Sequence, residues 1–196
     1  MSFFIKTVPA SEATGKLREL YEADIKDLGI ASNTTRSFSL FPETWEAFRG
    51  LMGGVRKRMR LRNYELTTMA AAMEMGCTFC MLAHGAVLRK NSFTAEQLEA
   101  LAKDFHHAGL EDKEVVMMEY AQKVVGDASS TTQADFDNLR KAGWTDEDIL
   151  SITLAAAVRA FASKVFDALG ADPDAIYKDL DEETHHALIG KRPFIV

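Results

Sequence analysis

Residues 64–90 read YELTTMAAAMEMGCTFCMLAHGAVLRK, and this stretch decides how the chain folds. It is rich in Ala, Leu, Met and charged residues that favour α-helices, and it contains no proline. Glycine at position 76 separates two helix-forming halves and favours a turn there. We therefore predict two helices, Tyr64–Glu74 and Cys77–Lys90, that form an antiparallel hairpin turning at Met75-Gly76.

The rest of the chain has the same helical character. Its four prolines stand at positions 9, 42, 173 and 193, so no proline ring breaks a helix between Glu43 and Asp172. Runs of alternating Val, Ile, Thr and aromatic residues are missing, and no Asn-Gly or Asp-Gly hairpin turn occurs. The sequence predicts an all-α fold with a single helical domain over residues 1–196.

Start and stop signals set the expected helix ends. Asn63 is the expected N-cap of the first hairpin helix, and Gly53-Gly54 is expected to end the helix before it. Thr94 and Gln97 form a capping-box pattern. Gly29 is expected to end the first helix, and the tail 190–196 is expected to be irregular. The other helices are expected over these ranges: Ser11–Leu28, Glu43 to about Leu51, Glu111–Val125, Thr132–Lys141, Thr145–Leu169, and from Asp172-Pro173 onward.

A weak internal similarity suggests a duplicated helical pair. Residues 65–69 align with residues 148–152, and the Ala-rich stretches that follow stay in register. In this alignment Cys77, Cys80 and His84 match Ala160, Ser163 and Asp167.

Composition narrows the class of protein. The 196 residues include 29 acidic and 23 basic ones, a net charge of −6, and 47% are hydrophobic. This acidic balance argues against a nucleic-acid partner. Apolar stretches such as 152–158 are short and the N-terminus does not resemble a signal peptide, so neither a membrane span nor secretion is expected. We expect a cytoplasmic protein. One cluster of basic residues is interpreted as a face that contacts solvent or another subunit: Arg56, Lys57, Arg58, Arg60, Arg62.

The hairpin holds both cysteines of the chain and a histidine, in the order Cys77-x-x-Cys80-x-x-x-His84. At about 100° per residue the three side chains lie on one helical stripe. A thiolate is the reactive form of cysteine, and a helix N-terminus beside an imidazole stabilises it. A second cysteine can condense with a sulfenic acid on the first to form a disulfide. The pattern therefore indicates a redox-active dithiol.

A carboxylate is expected beside the histidine. Glu65 lies about ten residues before the turn and His84 about nine after it, so an antiparallel hairpin places them side by side. Such a carboxylate would set the tautomer of the imidazole and raise its basicity. In one continuous helix Glu65 and Cys77 would be roughly 18 Å apart and could not cooperate.

These residues resemble the signature of the alkylhydroperoxidase D-like (AhpD-like) proteins of the carboxymuconolactone decarboxylase superfamily. The signature is Glu65, eleven residues, the Cys77-x-x-Cys80 motif, three residues and His84. The resemblance includes residues 38–43 and the Ala-rich segment 149–169, and it is strongest to the peroxidase-related group.

The resemblance implies what the site does. Cys80 would be the peroxidatic thiol, Cys77 the more accessible resolving thiol, and Glu65 with His84 the proton relay. It also implies a homo-oligomer, a trimer or hexamer, that reduces a hydroperoxide with electrons from an external dithiol or a disulfide reductase of the dihydrolipoyl or thioredoxin-like kind. Neither a cofactor nor a metal is expected. The best-studied relatives have a second histidine where this chain has Phe79, so the relay would be shorter and the pocket more apolar.

Several alternatives remain open from the residues. Cys77, Cys80, His84 and Glu65 have ligand types that zinc accepts, and two buried cysteines can also serve as small hydrophobic side chains. A lyase acting on a lactone would not need two thiols. A protein without turnover could use the disulfide as a redox sensor or assembly switch.

Overall fold

The computed structural model describes residues 3–189, and every regular element in that range is a helix. No β-strand occurs among these residues, so the all-α prediction is confirmed. Short 3-10 helices cover Ala10–Glu12, Phe105–His107, Ala128–Ser130 and Ala175–Asp179. The α-helices are α1 Gly15–Leu28, α2 Asn33–Ser37, α3 Pro42–Arg56, α4 Leu61–Met75, α5 Thr78–Asn91, α6 Ala95–Asp104, α7 Asp112–Asp127, α8 Gln133–Lys141, α9 Asp146–Leu169 and α10 Glu182–Ala187.

Helix α4 is the centre of the fold. It packs against α5, α7 and α9, and every residue from 64 to 72 is buried. Three consecutive alanines, Ala70 to Ala72, are completely covered, and their small side chains allow neighbouring helices to approach closely. A polar side chain within residues 64–72 therefore faces another helix rather than solvent. This placement buries Glu65 and Thr68.

The predicted helical hairpin is present. Gly76 ends α4 in the left-handed region with φ +67°, and its N–H donates to the Met73 carbonyl at 3.0 Å. The next N–H, of Cys77, donates back to the Ala72 carbonyl at 3.0 Å, which closes the C-terminal cap. Cys77 is at the same time the extended N-cap residue of α5. The two helices therefore reverse direction within two residues.

Two predicted helix ends were wrong. Asn63 is not the N-cap of α4, which begins at Leu61 after the extended residue Arg60. The first turn is held instead by Arg62, whose guanidinium donates to both carboxylate oxygens of Glu114 on α7, at 2.6 and 3.0 Å. Helix α3 continues through Gly53-Gly54 to Arg56. Each glycine costs only about 1 kcal/mol in a helix, and packing of the last turn into the core offsets it.

Other predicted boundaries hold. Thr94 and Gln97 form the capping box at the start of α6, and Gly29 ends α1 at φ +78°. The first helix begins later than expected, at Gly15, after a separate 3-10 turn. The segment after Pro173 divides into a 3-10 helix and the short α10. The tail 190–196, which was expected to be irregular, lies outside the described residues.

Helix α9 differs from expectation in two ways. It is long and apolar enough, by length and composition alone, to cross a membrane, but half of its most apolar window is buried inside the protein. A core helix of a soluble protein meets the same criterion. It also runs without a break through Arg159, the position aligned with Gly76. The suggested duplication therefore does not include a second hairpin.

The hairpin turn gives the first prediction. Gly76→Ala should lower the free energy of unfolding by about 1 kcal/mol or more, because an L side chain is strained at positive φ. Gly53→Ala is the matched control: it lies inside α3 with open space around an added Cβ, and should stabilise by roughly 0.5 to 1 kcal/mol. Urea unfolding measures both, and equal effects would contradict the turn described here.

Candidate active site

A histidine–carboxylate pair joins the two hairpin helices. His84 Nδ1 on α5 lies 2.6 Å from Glu65 Oε2 on α4, and both side chains are buried. Thr68 Oγ1 lies 3.1 Å from the same nitrogen, and its hydroxyl donates to backbone carbonyls of α4. With Nδ1 donating to the carboxylate, Nε2 is the nitrogen that can accept or release a proton. The side-by-side arrangement predicted from the hairpin is confirmed.

Cys80 meets helix α9 rather than a second histidine. The Ser163 hydroxyl donates to Cys80 Sγ at 3.1 Å, and Arg159 Nη1 donates to the same sulfur at 3.4 Å. The sulfur is fully buried, so both donors act without competition from water. Donors of this kind favour a sulfur that has a negative charge.

The two thiols have opposite pKa shifts. Burial alone would raise the pKa of Cys80, but the hydrogen bond from the Cys77 thiol and the charge of Arg159 outweigh burial. The pKa of Cys80 is therefore held well below its ordinary value. The pKa of Cys77 is raised, first by that hydrogen bond and then by burial. Of the two cysteines, Cys80 is the one whose surroundings favour the thiolate, and Cys77 is the thiol that donates to it.

One expectation about access is wrong. Cys77 was expected to be the more accessible thiol, but both cysteines are 0% exposed and neither is in a disulfide. Cys77 is buried because it occupies the N-cap of α5, at the closed end of the hairpin. Cys80 is the one of the two that lines a cavity.

Arg159 is a buried cation of α9. Only 7% of its surface is exposed, and its Nε has no hydrogen-bond partner among the described residues. Burial alone would lower the pKa of Arg159, but the Cys80 sulfur and a hydrogen bond to Tyr64 outweigh burial and hold the pKa above its ordinary value. Arg159 therefore remains a cation, and its charge depends on Cys80 for neutralisation.

A cavity of about 190 Å³ lies over Cys80. Its polar lining consists of Thr34, Cys80, His84 and Arg159, and the remaining residues are apolar or aromatic. We call it the aromatic cavity, after its other lining residues: Trp45, Phe48, Met52, Phe79, Ala83, Ala162, Phe166 and Tyr177. Such a lining favours an apolar substrate with one reactive polar group.

The 3-10 helix Ala175–Asp179 contributes Tyr177 to the lining of the aromatic cavity. Asp174 accepts hydrogen bonds from the Ser32 hydroxyl at 2.6 Å and from the Asn33 N–H at 2.7 Å. These bonds fix the 3-10 helix that follows, which places Tyr177 edge-on to Phe79 with ring centroids 6.2 Å apart. Phe79 in turn stacks on Phe166 at 5.1 Å. The residue that replaces the second histidine of the relatives is thus part of the apolar lining.

The zinc alternative finds no support in this geometry. Glu65 and His84 are hydrogen-bonded to each other, and the Cys80 sulfur accepts hydrogen bonds from α9. Within residues 3–189, no three His, Cys, Asp or Glu side chains are arranged to hold a metal ion.

Both the sequence and the fold of this chain are similar to those of known proteins. A model of the carboxymuconolactone decarboxylase family matches residues 40–123, the segment that contains the hairpin and all four predicted site residues. Over these residues the chain is similar to the carboxymuconolactone decarboxylase family. No curated protein sequence matches it significantly.

Several solved structures show the same architecture. An AhpD-core, peroxidase-related protein from Ralstonia eutropha has a TM-score of 0.82 at 20% identity, covering 90% of this chain and 95% of that one. A peroxidase-related protein from Silicibacter has a TM-score of 0.75 at 23% identity, covering 83% and 86%. The debrominase Bmp8 has a TM-score of 0.71 at 14% identity, covering 94% and 97%. At these identities the similarity establishes the AhpD-like fold.

The structure also adds residues that the sequence analysis did not include. Cys80 and His84 line the aromatic cavity and Glu65 is hydrogen-bonded to His84, while Arg159 and Ser163 reach the Cys80 sulfur from α9. A signal for Arg159 exists in the sequence. It occupies the buried stripe formed by residues 152, 156, 159, 163 and 166, where a lone cation needs a partner.

Arg159 gives the second prediction. Arg159→Met, which keeps the side-chain length but removes the charge, should raise the pKa of Cys80. The thiolate absorbance near 240 nm should then appear only at higher pH than in the natural protein. Arg159→Lys is the control, because it retains a cation and should shift the titration less. Identical titration curves for all three proteins would contradict the proposed pairing.

Proposed function

We propose that the protein reduces organic hydroperoxides with a dithiol cycle of Cys80 and Cys77. At the level of the superfamily, function is peroxidase-related or decarboxylase-like, and the named relatives include enzymes. The observation that supports the thiol reaction is the buried Cys80 sulfur held by Arg159 and Ser163 beside the aromatic cavity. A thiolate in contact with an apolar cavity is suited to attack a neutral peroxide.

The proposed cycle has two chemical steps. The Cys80 thiolate attacks the terminal peroxide oxygen, the O–O bond breaks, and the alkoxide takes up a proton and leaves as an alcohol, so Cys80 becomes a sulfenic acid. The Cys77 sulfur then attacks Cys80 Sγ and releases water. The sum is thiolate, thiol, hydroperoxide and one proton giving disulfide, alcohol and water. The hydrogen bond between the two cysteines in the resting site supports this order.

His84 and Glu65 supply the proton. With Nδ1 held by Glu65, His84 Nε2 can protonate the leaving alkoxide; the carboxylate stabilises the imidazolium before the transfer and holds the neutral ring in place after it. His84 lines the aromatic cavity together with Cys80, so a peroxide there can meet both groups.

The reductant has to reach Cys80. An external dithiol must attack one sulfur of the disulfide, and Cys77 is buried at the closed end of the hairpin. Cys80 lines the aromatic cavity and Cys77 does not. We therefore favour a slender dithiol group, such as a lipoyl-like arm, over a rigid protein surface as the direct donor.

Cysteine variants test this proposal. Cys80→Ser should abolish hydroperoxide consumption and disulfide formation, because the attacking sulfur is gone. Cys77→Ser should consume a single equivalent of hydroperoxide and stop at the sulfenic acid, which dimedone traps and mass spectrometry detects. His84→Asn should lower the rate by roughly 10²- to 10⁴-fold, the usual contribution of a general acid. Full activity of Cys80→Ser would contradict the proposal.

Two other reactions are separated by the same variants. A lactone decarboxylase does not need two thiols, so retained lactone turnover by Cys80→Ser would favour that reaction.

The similarity to the debrominase fold raises a second thiol reaction, replacement of an aromatic C–Br bond by C–H with release of bromide and formation of the disulfide. The aromatic lining would accept such a flat substrate, and bromide release from a bromophenol reports it.

The outer face of α9 supports a homo-oligomer. Leu150, Leu154 and Phe161 lie on one face of the helix and are 59%, 40% and 45% exposed. Phe161 contacts Phe48 of the aromatic cavity, with ring centroids 4.9 Å apart. An apolar stripe of this kind on a long helix favours burial against another copy of the chain.

The oligomer gives a further prediction. The double variant Leu150→Glu and Leu154→Glu should reduce the solution mass, measured by light scattering after size exclusion, to that of a single chain. Leu28→Glu on α1, where the leucine is similarly exposed, should leave the mass unchanged. The same mass for both variants and the natural protein would contradict an interface on α9.

A further inference from the structure

The charge of the aromatic cavity changes during the proposed cycle, on which this inference rests. In the resting site the Arg159 guanidinium donates to the Cys80 sulfur at 3.4 Å, and Glu65 is hydrogen-bonded to His84 rather than to Arg159. Formation of the disulfide removes the thiolate charge, as the balanced equation above requires. Once His84 has regained from solvent the proton that it gave to the alkoxide, Arg159 has a buried positive charge with no anion in contact with it among the described residues.

The surroundings of Arg159 offer no substitute. Among the described residues it forms no salt bridge with a carboxylate, and its other polar neighbour is the Tyr64 hydroxyl. Its Nε–H is already without a partner in the resting site. A buried cation with no counter-charge and with an unused N–H donor raises the free energy of the protein. An anion that enters the adjoining cavity is therefore strongly stabilised there.

We propose that the aromatic cavity becomes a binding site for a small aromatic carboxylate when Cys80 is no longer a thiolate. The carboxylate would accept hydrogen bonds from the Arg159 guanidinium, which binds planar carboxylates well. The ring would lie against the aromatic side chains of the lining. A cavity of about 190 Å³ accepts a ligand with a single benzene ring. The resting site excludes the same anion by repulsion from the thiolate.

This site has a kinetic consequence. An aromatic carboxylate would bind the oxidised enzyme and leave the reduced enzyme free. Benzoate should therefore inhibit peroxidase turnover competitively against the dithiol donor and uncompetitively against the hydroperoxide.

Calorimetry with benzoate tests the binding directly and without turnover. Cys80→Ser, fully reduced, has a neutral side chain beside Arg159 and should bind benzoate at least about tenfold more tightly than the reduced natural protein at pH 7. The natural protein oxidised with diamide, its disulfide verified by thiol count, should behave like Cys80→Ser. The double variant Cys80→Ser with Arg159→Met should lose this gain. Benzyl alcohol, the neutral analogue, should bind all forms equally.

Two results would overturn the inference. The first is equal benzoate affinity for the reduced natural protein and Cys80→Ser. The second is tight binding that survives Arg159→Met. Because Cys80→Ser needs no hydroperoxide chemistry, its result stands even if the dithiol cycle proposed above is wrong. Thermal unfolding of each variant establishes that it is folded, and Cys80→Ala replaces Cys80→Ser if the serine variant is not.

Discussion

The contact between the Arg159 guanidinium and the Cys80 sulfur is the interaction on which the site depends. A buried cation is costly without an anion, and a buried thiol resists ionisation without a cation. Each group therefore stabilises the charge of the other, and both side chains are buried. Removing one partner from such a pair usually costs about 3 to 5 kcal/mol, because it leaves an uncompensated charge in the core.

Two helix arrangements bring the groups around this contact together. The hairpin of α4 and α5 brings Glu65 beside His84 and sets Cys77 at the turn, while α9 crosses the hairpin and brings Arg159 and Ser163 to the sulfur. Phe79, where the family resemblance predicts a second histidine, stacks in the lining instead. Here a permanent cation from another helix supports the thiolate, and the histidine–carboxylate pair remains available for proton transfer.

Much of the hairpin could be predicted because its geometry is local. The spacing of Glu65, Gly76 and His84 along the chain determines which side chains meet once the helices reverse. Arg159 could not be placed in the same way, because it is 79 residues from Cys80 and depends on how α9 crosses the hairpin. The exposure of Cys77 was misjudged because an N-cap at a tight turn is covered by the packing of α4 and α5 together. Gly53-Gly54 did not end α3, since tertiary packing outweighs a weak local preference.

The most direct test of a redox-active dithiol is a thiol count on purified protein of known metal content. One equivalent of an organic hydroperoxide per chain is added, and free thiols are measured before and after. We expect rapid loss of both thiols of each chain, with recovery after treatment with a dithiol. Two thiols that persist, or one zinc ion bound per chain, would contradict it.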